Sequence, residues 1–184
     1  MRTIATMYME IILMIKIVNV TEEDKAYWQD IYMQSFPEYE RLDFMQLAQL
    51  AKTKEPVKMA LVVDEQPVGI LLLVEISAQK VFVLYFAVDA NIRGRGIGSK
   101  TIAALKEQYP NGVILESEIT GQQADNEMQR VKRYDFYKRN GVNDAHLVTK
   151  NMGGTFHLLR TTDEISDDDY LNAVSELGIE AQVE

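Results

Sequence analysis

The chain has 184 residues, no cysteine, a formal net charge of −9 and a hydrophobic share of 47%. That length suits one domain able to bury a full core, and the composition is too apolar for a disordered chain. The missing cysteine excludes disulfides, thiolate metal sites and cysteine nucleophiles, and no basic stripe of a general nucleic-acid binder is present.

Met9 to Val18 is apolar apart from Glu10 and Lys16, too short and interrupted to span a bilayer, and no small-residue cleavage site follows. Residues 1–13 therefore read as an N-terminal extension or an upstream start, and 14–184 as a single domain. Deleting residues 1–13 is expected to leave stability and activity intact; loss of folding in a thermal melt would refute this.

Ile15 to Val20 reads as the first strand, and Thr21 as the N-cap of a helix carrying Tyr27, Trp28, Ile31 and Tyr32. Pro37 interrupts. A second helix is predicted from about Glu40 to Ala51, with Leu42, Met45, Leu47 and Leu50 as buried positions. Val57 to Val63 is a strand, Asp64 to Pro67 a turn, and Val68 to Ile76 an almost unbroken apolar strand of the kind covered on both faces. Val81 to Val88 follows as a strand, then a glycine-rich loop, a helix to about Tyr109, and a strand from Val113 to Ile119. A helix over Asn126 to Asn140 stops at Gly141. Short strands are expected at Ala145 to Lys150 and Thr155 to Arg160, and Ser166 caps a last helix, Asp167 to Leu177. This order predicts an α/β (α+β) layered domain: a mixed sheet flanked by helices.

The loop Arg93-Gly94-Arg95-Gly96-Ile97-Gly98 lies between a strand and a helix. Glycine lets a ligand approach the backbone, and a helix start offers unpaired N–H groups with a positive dipole end. Together they suit a phosphate or pyrophosphate, and Arg93 and Arg95 add charge. A tight turn with two solvated arginines uses the same residues. As a dinucleotide fingerprint the segment fails at Ser99; as a P-loop, Gly94 to Thr101 misses only a glycine at Ser99, which would put Lys100 on a nucleotide phosphate and Thr101 on Mg²⁺.

Arg93, Gly96 and Gly98 also match the acetyl-CoA signature [QR]-x-x-G-x-[GA]. About forty residues on, Phe136-Tyr137-Lys138-Arg139-Asn140-Gly141-Val142 resembles a second motif, F-Y-x-x-x-G-F, with valine in the last place. Over roughly Ile15 to Arg160 the chain resembles the GNAT family of N-acetyltransferases. It is nearest to bacterial members with an acidic strand, here Leu115 to Glu118, and a basic helix, here Arg130, Lys132 and Arg133.

The resemblance implies the GNAT fold, with a mostly antiparallel central sheet. It further implies acetyl-CoA as co-substrate without a metal, and direct attack by an amine acceptor in a ternary complex. Main chain from Arg95 through Gly96, Ile97 and Gly98 to Ser99 would take the pyrophosphate, with Arg93 beside it. Backbone at Ala87 and Val88 would pair with the pantetheine arm, and the Val113 to Ile119 strand would splay away to open the slot. Tyr137 would be the general acid facing the sulfur.

Glu116 is the candidate general base, directly or through water. It shares a strand face with Glu118, and two acids there can raise one another's pKa. A solvated surface face fits the same spacing, and Glu118 and Glu75 are further candidates. His146 and His157 lack metal-ligand spacing and read as structural or surface residues; Asp167 to Asp169 suit a helix start. The expected acceptor is a small-molecule or protein amine, with acidity leaning toward a cationic one. No nucleic-acid or membrane partner is expected, the setting is cytoplasmic, and sheet edges near the C-terminus could pair two copies. A non-catalytic acyl-CoA-binding module on the same fold is the rival reading.

Overall fold

A computed structural model describes residues 15–92 and 94–184. Residues 1–13, expected to be an extension, and Arg93 lie outside the described residues. Among the described residues, eight strands form one sheet in the order β1-β2-β3-β4-β5-β7-β6-β8. They are β1 (Lys16–Asn19), β2 (Val57–Asp64), β3 (Gln66–Ser77), β4 (Lys80–Val88), β5 (Gly112–Glu118), β6 (Asn143–Asn151), β7 (Gly154–Arg160) and β8 (Ala181–Val183). Among these only β4 and β5 pair in parallel; every other neighbouring pair is antiparallel. The helices are α1 (Lys25–Ser35), α2 (Phe44–Thr53), α3 (Ile97–Gln108), α4 (Glu127–Arg139) and α5 (Asp167–Glu176), with 3-10 turns at Glu38–Glu40 and Ala90–Ile92. The mixed, mostly antiparallel sheet between helices agrees with the fold class expected from the element order.

The pleat divides the core. Ile70, Leu72 and Val74 of β3 pack with Trp28, Ile31 and Tyr32 of α1, Leu47 of α2, and Tyr170, Ala173 and Val174 of α5. Leu71 and Leu73 point the other way, with Ile97, Ile102 and Leu105 of α3 and Tyr137 of α4. Both faces of β3 are thus covered, which is why its sequence shows no alternation.

Three local expectations are corrected. Thr21 does not cap α1: its N–H and hydroxyl both donate to the Asp24 carboxylate, at 2.9 and 2.8 Å, and the helix starts at Lys25. The second helix starts at Phe44 rather than Glu40, because Asp43 caps it by accepting from the Gln46 N–H at 3.0 Å. That phase puts Phe44, Leu47, Ala48 and Ala51 against the core and leaves Met45 71% exposed. One strand was not foreseen: the short β8, too brief to announce itself by periodicity, pairs with Thr149 to Asn151.

At α5 the expected cap is present. Ser166 accepts from the Asp169 N–H at 3.1 Å, Asp169 accepts from the Ser166 N–H at 2.9 Å, and Asp169 also pairs with Lys80.

Candidate active site

The site begins where the parallel pair stops. β4 and β5 are in register only from Lys80↔Gly112 to Val83↔Leu115. Beyond that, β4 runs on to Val88 and β5 to Glu118 without each other. The cause lies in β4. Leu72 of β3 faces Tyr85 and Leu73 faces Val83, so Leu84 is an extra, bulged residue. A bulge bends its strand and tightens its twist, while β5 stays tied to β7 through Glu118↔Phe156. The two strands part, and a cleft of about 750 Å³ opens between them.

Leu84 to Val88 form one wall, and Glu116, Glu118 and Ile119 the other. The link between α1 and α2 crosses one side with Tyr39 and Glu40; α4 contributes Arg130, Arg133 and Tyr137; the β6–β7 hairpin adds Met152 to Phe156. The α1–α2 link is held by Tyr85, whose hydroxyl donates to the Glu40 carbonyl at 2.8 Å and accepts from the Leu42 N–H at 3.0 Å. Of the residues singled out in the sequence, Ala87, Val88, Glu116, Glu118 and Tyr137 therefore meet in one cavity. Glu75 does not: it sits at the opposite end of β4, facing Val81, where it accepts from the Tyr109 hydroxyl at 2.8 Å.

The glycine loop lies past the end of β4, outside the cleft lining, and opens α3. Gly94 and Gly96 have φ of 97° and 68°, and a Cβ at either would meet nothing within 4 Å. Their conformation, not crowding, calls for glycine there. Gly96 is the N-cap of α3 and provides no side-chain cap, so the first N–H groups of the helix stay available. Gly98 is small for a different reason: a Cβ would come within 3.0 Å of the Phe136 ring. The two motifs thus touch, with Phe136 of the Phe-Tyr pair seated on the loop and Tyr137 beside it facing the cleft. Arg95 is exposed, and Lys100 and Ser99 are exposed on α3.

The P-loop reading fails here. Thr101 is fully buried, and its hydroxyl donates to the Ile97 carbonyl at 2.7 Å, so it cannot present itself to a metal.

Tyr137 is 8% exposed, and burial pushes its phenol above the ordinary value, with Arg133 opposing. Glu116 Oε1 accepts from Asn151 Nδ2 at 2.8 Å, from the Tyr170 hydroxyl at 2.6 Å and from the Thr149 hydroxyl. Burial raises the Glu116 carboxyl above the ordinary carboxylate value, and those three donors pull against it. Glu118 is held by two arginines one helical turn apart, Arg130 at 3.3 Å and Arg133 at 2.9 Å. Glu40 is raised by burial and by the nearby Glu118 charge.

Sequence reading missed Glu40, because nothing local marks a carboxylate in a helix-to-helix link as facing a cleft. It singled out a basic helix but could not tell which cations reach Glu118; the i, i+3 spacing of Arg130 and Arg133 was the available signal. His157 proves structural. Its Nε2 accepts from the Thr120 N–H at 3.2 Å, which leaves the Nδ1 proton facing Asp144 at 3.6 Å. His146 sits at a bulge in β6, with φ of 59°.

Among the described residues, no helix is long and apolar enough to cross a membrane. Comparison with known proteins points one way. The model of the acetyltransferase (GNAT) family matches residues 19–141, about two thirds of the 184-residue chain. No curated protein matches by sequence. Among solved structures, a GNAT-family protein from Bacteroides thetaiotaomicron described as an acetyltransferase aligns with a TM-score of 0.66 at 18% identity, over 88% of this chain and 93% of that one. Naa50 of Arabidopsis thaliana, solved with the bisubstrate analogue CoA-Ac-MVNAL, aligns at 0.56 and 18% identity, over 82% and 99%. The spermidine/spermine N-acetyltransferase SpeG of Vibrio cholerae aligns at 0.56 and 13% identity, over 86% and 96%. At these identities the likeness is one of fold.

Proposed function

Because the chain belongs to the GNAT acetyltransferase family, we propose that it moves an acetyl group from acetyl-CoA to an amine acceptor by direct attack within a ternary complex. The observation that carries this reading is the parting of β4 from β5 after Val83 and Leu115, which leaves strand-edge backbone and two candidate proton carriers in one cleft.

Acetyl-CoA supplies the acetyl group already activated as a thioester. The chain's own residues fit it. The uncapped start of α3, from Arg95 through Gly96, Ile97 and Gly98 to Ser99, suits the diphosphate, and the open space over Gly94 and Gly96 gives it room. Arg93 belongs to this reading by its place in the motif. Backbone at Ala87 and Val88, past the last β4–β5 pair, suits the pantetheine amides and the carbonyl oxygen, where charge develops. Glu116 takes the proton that the amine nitrogen loses as it bonds to the carbonyl carbon. Tyr137 gives its proton to the sulfur as the carbon–sulfur bond breaks. Both residues regain their starting states through solvent.

Three carboxylates against two guanidinium groups in the cleft favour a cationic acceptor. Naa50 is solved with a CoA–peptide analogue and SpeG is named for spermidine and spermine; both a protein amine and a small-molecule amine fall within the proposed acceptor class. A cysteine-free chain acting on such acceptors fits a cytoplasmic setting.

Acetyl-CoA is expected to raise the melting temperature and to release free thiol when an amine panel is added. The Lys100→Ala variant should behave the same, since Lys100 is exposed on α3. Stabilisation by a magnesium nucleotide that Lys100→Ala abolishes, without any response to CoA, would sink the reading. Stabilisation by CoA with no turnover on any amine would leave a binding module instead.

A further inference from the structure

The three donors on Glu116 come from outside the family match, which ends at residue 141. Thr149 and Asn151 stand two apart on β6 and so share one face. Tyr170 lies on α5, after the sheet has been completed up to β7. Thr149 and Tyr170 are fully buried and Asn151 is 8% exposed. The set is internally closed: the Asn151 amide donates both to Glu116 Oε1, at 2.8 Å, and to the Tyr170 oxygen, at 3.1 Å, while the Tyr170 hydroxyl itself donates to Oε1 at 2.6 Å. The Thr149 hydroxyl makes the third bond to the same oxygen.

An oxygen that accepts three hydrogen bonds has no lone pair left for a proton or a ligand. All three fall on Oε1. Glu116 nevertheless lines the cleft and keeps partial solvent access. We propose that Tyr170, Thr149 and Asn151 are positioning residues that fill Oε1 of Glu116 and so dedicate Oε2 to the acceptor's proton. This rests on the reading of Glu116 as the base. It makes the C-terminal segment a working part of the site rather than an appendage: α5 delivers a phenol and β6 delivers a hydroxyl and an amide, each to one oxygen. Buried hydrogen-bond networks of this kind, fully satisfied, fix a rotamer as well as a charge.

The titratable and charged groups around the cleft are Glu118, which follows on β5, Tyr85 from β4, Tyr137, Arg130 and Arg133 from α4, Tyr39 and Glu40 from the α1–α2 link, and Tyr170 from α5; Asp169, next to Tyr170, is paired with Lys80. The phenol of Tyr170 is pushed well above its ordinary range by burial and by the Glu116 charge, so it stays a donor.

Each donor favours the anion. Removing one should raise the carboxyl's pKa, so the acidic limb of the kcat/KM profile should move up. Tyr170→Phe and Thr149→Val keep the shape and remove one donor each. Each is expected to move that limb upward by about one pH unit, the worth of one hydrogen bond to a charged group, with activity recovered on the alkaline side. A merely structural role would lower activity equally at every pH. Glu116→Gln is measured alongside. If it abolishes the limb while both Tyr170→Phe and Thr149→Val leave the limb in place, the positioning role is wrong and the base survives. If the limb persists in Glu116→Gln, the base assignment itself falls, and the positioning role with it. Should Tyr170→Phe fail to fold by circular dichroism, Thr149→Val reads the same shift without touching α5.

Discussion

Replacing Glu116 by glutamine is expected to lower kcat/KM by about 100- to 10,000-fold, the range for losing a positioned general base. The substitution preserves volume and leaves one carbonyl oxygen to accept from Thr149, Asn151 and Tyr170. Folding and CoA affinity should therefore change little. The pH dependence should change most. In the proposed mechanism the active form carries Glu116 as an anion, and burial raises its carboxyl above the ordinary carboxylate value. Activity should then fall as pH drops through that raised value, nearer neutrality than an exposed glutamate would allow. In the variant this acidic limb should vanish, leaving low activity flat across the same range. A variant with the parent's profile would show that the proton leaves through Glu118, Glu40 or water.

What the sequence disclosed about this site follows the reach of local pattern. The unbroken apolar run of β3 and the period-two spacing of Glu116 and Glu118 depend only on neighbours along one strand, and both read correctly. The loop and the Phe-Tyr pair were each legible as motifs. Their contact, Phe136 on Gly98, was not, since nothing in either motif encodes which glycine the ring would cover. The donors to Glu116 were invisible for a stronger reason. They lie 33, 35 and 54 residues away and meet it only because β7 sits between β5 and β6 while α5 folds back over the sheet. A threonine, an asparagine and a tyrosine in ordinary strand and helix positions carry no mark of that convergence. The errors at Thr21 and Glu40 have a related origin. In both places a carboxylate, Asp24 or Asp43, bonds to a nearby backbone N–H, and such side-chain competition decides a helix start against simple propensity. Once α2 begins at Phe44, Met45 must turn outward.

Tyr137→Phe tests the other half of the chemistry and should separate turnover from binding. The lost atom is one hydroxyl in the cleft. The ring stays packed against Phe136, with centroids 5.4 Å apart, and the backbone of α4 keeps its end, where the Val142 N–H donates to the Tyr137 carbonyl at 3.0 Å. Burial raises the phenol and Arg133 opposes it. Among the described residues, removing the hydroxyl strands no hydrogen-bond partner. On that basis kcat should fall by about 100-fold or more, as for loss of a positioned general acid. The dissociation constant for CoA should change by less than about threefold, because the contacts proposed for the diphosphate and pantetheine, at the start of α3 and at Ala87 and Val88, lie elsewhere. Burial raises the phenol, so it stays protonated past the ordinary tyrosine value, and the parent's alkaline limb should lie above it. Single-turnover measurements with a good acceptor would isolate this step from product release. If kcat were unchanged and only CoA affinity fell, Tyr137 would be a wall of the slot, and the departing sulfur would take its proton from water.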